Sequence, residues 1–166
     1  MSKTKKIAFL GLITAFALIL SYVEMLLPPL FPSVPGIKMG LCNILIVFML
    51  YRFSLKEAAA VSLIRLLLVS LLFGSVLGFI YSLAGAFLSL TVMYLLKKSG
   101  LFSTVGVSVA GGVSHNLAQV IVAIILMHTA EIGYYMIALT VTGVISGCVV
   151  GICGGLLLKY LKRDLK

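Results

Sequence analysis

Seven polar side chains lie in or beside stretches that otherwise read as hydrocarbon: Glu24, Lys38, Asn43, Arg65, His115, Asn116 and Gln119. A polar group in such a setting costs free energy unless it is paired or wetted. Arg65 is the sharpest case. It lies about ten residues from either end of its apolar run, where a guanidinium costs roughly 2.5–3.5 kcal/mol to insert. Snorkelling to an interface ~15 Å away is hard, so Arg65 is expected to face an interior. Its planar, permanently charged fork matches a carboxylate or a phosphate. An internal pair with a glutamate is one reading and contact with a ligand is the other; the second is favoured. Ser62, one turn away on the same face, is expected to share the network.

The stretch "VSHNLAQV", residues 113–120, carries three such groups. His115 and Gln119 are i, i+4 and share one helix face, with Asn116 on its flank. Such residues can simply hydrogen-bond across helices, at ~0.6–2 kcal/mol each. Three of them within five residues favours a strip that recognises hydrogen-bonding groups on a solute. Glu24, the only acid inside an apolar run, has several open roles: pairing with Lys38 or Arg65, meeting a ligand amine, carrying a proton, or resting in interfacial water. In "PGIKMGLCN", residues 35–43, Pro35 and Gly36 precede a helix with Lys38 in its first turn and Asn43 deeper in. A helix N-terminus carries partial positive charge, so this segment suits an anion.

The elements that must position these groups follow from composition. The chain has 166 residues, 62% of them hydrophobic and 10% charged, with mean hydropathy +1.26. Soluble domains run near half apolar and a quarter charged, so a single integral membrane domain over residues 1–166 is expected. Six apolar helices are read at about 7–27, 37–53, 55–73, 76–96, 104–127 and 134–160. The first is taken as a retained helix, since its apolar run is too long for a cleaved signal. Pro28 and Pro29 end it, because proline cannot continue a helix.

With the N-terminus inside, Lys3, Lys5, Lys6, Arg52, Lys56, Lys97, Lys98, Lys159, Lys162, Arg163 and Lys166 all fall on the cytoplasmic side. Only Lys38 lies outside, and Arg65 lies within a helix. That asymmetry predicts an all-α six-helix bundle, N-in and C-in, in the cell membrane. The net charge of +9 is scattered between apolar runs, which speaks against a nucleic-acid partner. On the last helix Gly143, Gly147, Gly151 and Gly155 form a GxxxG ridge, read mainly as internal packing and secondarily as a docking surface.

Several chemistries are excluded. There is no phosphate-binding GxxxxGK[ST] loop for ATP and no HExxH or similar metal-ligand cluster. Asp164 is the sole aspartate, so a magnesium–diphosphate site cannot be assembled from this chain alone. Cys42, Cys148 and Cys153 lie in apolar segments without a CxxC pair and read as small buried residues. The expectation is a non-enzymatic protein without cofactor or metal that binds or moves a small solute.

The strings "PGIKMGLCNI", "EAAAVSLIRLLLVSLLFGS", "YSLAGAFLSL" and "GVSVAGGVSHNLAQV" resemble the Gx transporter family, often labelled heptaprenyl diphosphate synthase component I. The likeness covers about residues 7 to 158. That family is similar to the substrate-binding S components of energy-coupling-factor vitamin importers. The resemblance implies a six-helix membrane fold and a solute site in the outer half of the bundle. It also implies partners: a transmembrane coupling subunit and paired ATPases. Residues at matching positions are Lys38 and Asn43 in "GIKMGLCN", Arg65 in "SLIR", and His115, Asn116 and Gln119 in "HNLAQ". It further implies that small residues on the first helix, here Ala8, Gly11 and Ala15, pack against the coupling subunit. The solute expected is a small anion: a flavin, a thiamine-like vitamin or a diphosphate-bearing molecule. A stand-alone gradient-driven carrier, and a non-catalytic partner in isoprenoid or quinone metabolism, are the alternatives.

Overall fold

A computed structural model describes residues 2–26, 40–73, 76–128 and 130–161. Most of the described residues are helical, with no strand among them. The helices are α1 (Lys3–Leu26), α2 (Asn43–Arg52), α3 (Leu55–Phe73), α4 (Val76–Ser99), α5 (Thr104–Met127) and α6 (Met136–Leu161), the last entered through a 3-10 turn at Ala130–Tyr135. Lys38 and the prolines of the loop after α1 lie outside the described residues.

Five helices match the sequence reading within a few residues. The second does not. A helix over 37–53 was expected, and α2 starts only at Asn43. The reason is Gly40, whose φ of 75° is left-handed and cannot continue a right-handed helix. The chain then winds in through tight i→i+3 bonds: Asn43 N–H to Gly40 O at 2.8 Å, Ile44 N–H to Leu41 O at 3.2 Å and Leu45 N–H to Cys42 O at 3.1 Å. Ten residues rise only about 15 Å, half of a bilayer core. What α2 lacks in length it makes up in burial: Leu45 to Leu50 are all buried, and Phe48, Met49 and Leu50 are at most 1% exposed.

Among the described residues, four segments are long and apolar enough to cross a membrane: α1, α4, α5 and Gly133–Leu161. Large apolar side chains face outward on these helices and on α3, among them Ile7, Leu71, Val76, Phe87 and Ile137. Such a surface is stable against lipid and not against water. The chain is a multi-pass membrane protein. Packing runs α3–α4–α5–α6–α2 and back to α3, with α1 laid against α3.

Small residues set the closest approaches. A Cβ on Gly147 would stand 2.6 Å from Val109 Cα, one on Gly151 2.7 Å from Val105 Cα, and one on Gly112 2.6 Å from Gly143 O. Three members of the glycine ridge therefore serve internal packing of α6 on α5. Gly155, the fourth, has nothing within 4 Å, and its neighbour Gly154 packs on Val47 of α2 instead.

The basic end of the bundle is tied across helices. Lys6 of α1 pairs with Glu57 of α3. Phe9 stacks on Phe53, with ring centroids 5.5 Å apart. Lys97 of α4 donates to Leu50 O at 2.6 Å, satisfying a terminal carbonyl of α2, and its ammonium lies 5.3 Å from the centre of the Tyr51 ring.

Candidate functional site

The three helices that share the 52–57 and 104 ends rise to a common level. Asn43 stands about 14 Å above the Arg52 end of α2, Arg65 about 15 Å above the Leu55 end of α3, and His115 about 16 Å above the Thr104 end of α5, at about 1.5 Å per residue. That is the depth at which α2 begins. A shortened helix therefore opens a polar layer near the middle of the bundle, where a full-length one would have filled it with side chains.

A cavity of about 30 Å3 occupies that layer. Ser21 and Glu24 of α1, Gly40, Cys42 and Asn43 at the head of α2, Arg65 of α3, Ser82 of α4, and His115 and Gln119 of α5 supply its polar wall; Leu66 and Val69 supply an apolar one. Five residues singled out in the sequence thus meet in one place: Glu24, Asn43, Arg65, His115 and Gln119. The space takes about two water molecules, roughly a tenth of the pocket that encloses a drug-sized ligand.

Arg65 is only 7% exposed. Its Nη1 donates to Ser21 Oγ at 3.1 Å, and Ser21 Oγ in turn donates to Ala17 O at 2.8 Å. Its Nε has no partner among the described residues. No described carboxylate is within ion-pair distance of it. Among the described residues, therefore, no Arg65–glutamate pair forms, the alternative left open by the sequence. Glu24 is buried too, and its carboxylate accepts the Gly40 backbone N–H. This places the negative charge at the turn that leads into α2, where the helix field favours it.

His115 reaches the Gly85 backbone of α4. The ring's present placement depends on glycine there: a Cβ would fall 2.7 Å from His115 Cε1, and the ring would have to turn. The ring's Nδ1 is enclosed without a partner among the described residues. His115 also borders a second, smaller cavity of about 10 Å3, room for about one water. Gly40 and Asn43 border both spaces. The inner one is lined by the hydroxyls of Ser89, Ser108 and Ser146, and the Ser108 hydroxyl is buried without a partner among the described residues.

Asn116 separates from its neighbours in sequence. Its Nδ2 donates to Leu139 O of α6 at 2.8 Å, and it lines the inner cavity rather than the outer one. Ser62 is buried but borders neither cavity. Ala8, Gly11 and Ala15 are exposed on the outer side of α1, and a Cβ on Gly11 would meet nothing within 4 Å. Among the described residues no three His, Cys, Asp or Glu side chains group to hold a metal.

Sequence reasoning missed Ser21, Gly40, Cys42 and Ser82. Ser21 carried a usable signal, being i, i−3 from Glu24 and so on the same face of α1. Gly40 carried one as well, since glycine inside an apolar run marks a place where the backbone can turn.

An all-helical membrane protein with polar groups gathered in its interior is the class these features define. The chain belongs to the heptaprenyl diphosphate synthase component I family, whose model matches residues 13–157. The match spans every cavity residue named above, and of the exposed α1 positions it includes Ala15 but not Ala8 or Gly11. Among curated proteins and solved structures, none matches the chain.

Proposed function

We propose that the chain is the solute-binding membrane subunit of an importer of the energy-coupling-factor type. In this reading it takes a small anionic, vitamin- or cofactor-like molecule from outside the cell membrane. The observation that carries the reading is Arg65: a buried guanidinium with no carboxylate partner among the described residues, at the wall of a polar cavity near the middle of the bundle. Natural proteins keep such a group, despite its cost, where a ligand or a path needs it. Asn43, His115, Gln119 and Glu24 supply donors and acceptors around it, Lys38 is proposed from the sequence alone as a further positive charge for the solute, and Asn116 fixes the position of α5 on α6.

The basic end then faces the cytoplasm with both termini, following the bias of lysine and arginine. Six crossings result if α2, with the segment before it, and α3 complete the bundle. The exposed small residues Ala8, Gly11 and Ala15 of α1 are the surface for a coupling subunit, and paired ATPases supply the energy, since this chain has no nucleotide loop. A flavin- or thiamine-sized solute exceeds the cavity as it stands, so the helices around it must part to admit one. The chain performs no catalysis of its own in this reading.

Purification from native membranes tests it. A coupling subunit and ATPases should co-purify, and mass spectrometry should find a bound small molecule. Added solute should raise the unfolding temperature of the wild type and not of Arg65→Ala or His115→Ala. Equal stabilisation of all three proteins would remove the site. Capture of a soluble prenyl synthase, with no small molecule bound, would instead favour the second reading, suggested by the family's description: a non-catalytic membrane partner in isoprenoid metabolism.

A further inference from the structure

The geometry points to a defined edge of Arg65 as the anion receptor: the acidic group of the solute docks side-on against Nε and Nη2. This rests on the solute-binding reading above and names the chemistry of that same site. A guanidinium presents two edges for two-point contact. In the usual atom naming Nη1 lies on the Cδ side, and the opposite edge pairs Nε–H with Nη2. In this protein Nη1 is engaged by Ser21 Oγ at 3.1 Å, while Nε and Nη2 make no hydrogen bond among the described residues. Ser21 is itself fixed by Ala17 O. The serine therefore holds one corner of the fork and leaves the two-donor edge unengaged.

Two parallel donors on a rigid plane fit an oxyanion that offers two oxygens, a carboxylate or a phosphate, and fit a halide poorly. The cavity size agrees. About 30 Å3 takes a group of a few heavy atoms and not a ring system. The part of the solute recognised in this conformation is its acidic head. His115, whose enclosed Nδ1 has no partner among the described residues, lines the same cavity.

The test needs neither the coupling subunit nor the natural solute. The chain has three arginines, Arg52, Arg65 and Arg163. With 15N-arginine in detergent micelles, the Arg65 Nε–H resonance is the one that disappears in Arg65→Lys. Sodium acetate, inorganic phosphate and sodium chloride are titrated separately at constant ionic strength. Acetate or phosphate should move this resonance saturably, chloride should not, and the tighter of the two oxyanions identifies the head. Ser21→Ala should keep the response within about tenfold, since it leaves the Nε–Nη2 edge untouched. A flat response to both oxyanions, or an equal response to chloride, overturns the inference. Uptake into vesicles holding the complete importer reports on the transport reading by itself. Uptake with a silent Nε–H sinks only the side-on edge; a saturating Nε–H without uptake sinks only the importer.

Discussion

Gly147 and Gly155 belong to one GxxxG repeat in the sequence, yet the structure gives them opposite fates when a methyl group is added. At Gly147 the new Cβ would stand 2.6 Å from Val109 Cα, 3.0 Å from Ser108 O and 3.1 Å from Val109 N. These are backbone atoms of α5 and cannot rotate aside. Carbon atoms pack best about 3.5–4.0 Å apart, so α5 and α6 must separate by about 1 Å along their closest contact. Overpacking of that kind costs about 1–3 kcal/mol. At Gly155 nothing lies within 4 Å, so alanine adds no clash and gains up to about 1 kcal/mol of helix propensity. Gly147→Ala should therefore unfold at clearly lower denaturant than the wild type in mixed-micelle titrations followed by circular dichroism. Gly155→Ala should match or exceed the wild type. A Gly147→Ala protein as stable as wild type, or equal losses in the two variants, would refute the α5–α6 contact as drawn.

Other substitutions separate positioning from binding. Gly85→Ala brings a Cβ within 2.7 Å of the His115 ring; the ring is the end of a side chain and can turn, so unligated stability should change by less than about 1 kcal/mol while solute-dependent thermal stabilisation falls. Asn116→Leu removes the bond to Leu139 O and should cost about 0.6–1.7 kcal/mol of stability with the solute-dependent shift retained, whereas His115→Ala should lose the shift. Lys97→Met leaves Leu50 O and the Tyr51 face without their cation; a loss of about 0.3–1 kcal/mol is expected for a charge at a helix C-terminus, visible as faster hydrogen exchange at Tyr51, Arg52 and Phe53.

Most of the polar lining of the candidate cavity was legible in the sequence because membrane interiors make polar groups conspicuous. Arg65, Glu24 and Asn43 stand out singly, His115 and Gln119 as parts of one polar strip, and the fold brings all five to one cavity. What hydropathy does not register is backbone direction. The run through "GIKMGLCN" is nearly as apolar as a helix of full length, and only the left-handed φ of Gly40 ends it. Angular drift accounts for two further differences. Successive helical residues turn by about 100°, so Asn116 is rotated well away from His115 and finds α6 while His115 finds α4. The same drift advances an i, i+4 ridge by about 40° per step. By Gly155 the row begun at Gly143 has turned about 120°, off the face that meets α5.

The short second helix is what connects these observations. An α2 continuing to residue 37 would carry a side chain at every position through the level of Arg65 and His115, and the guanidinium would then need an internal counterion or a different place. Beginning α2 at Asn43 instead puts a turn at that depth, and the turn does two things at once. Its Gly40 N–H takes the carboxylate of Glu24, the acid that lines the same cavity as Arg65 without pairing with it. The helix then begins without a side-chain cap, so its N-terminal field adds positive potential to the charge already at Arg65. The fold thus keeps its buried acid and buried base apart: Glu24 meets the Gly40 N–H, while Arg65 meets Ser21 through Nη1 alone. In the proposed solute-binding reading, a cavity built this way suits an anion with two oxygens to share, because a base held away from the acid beside it is the arrangement that such an anion completes.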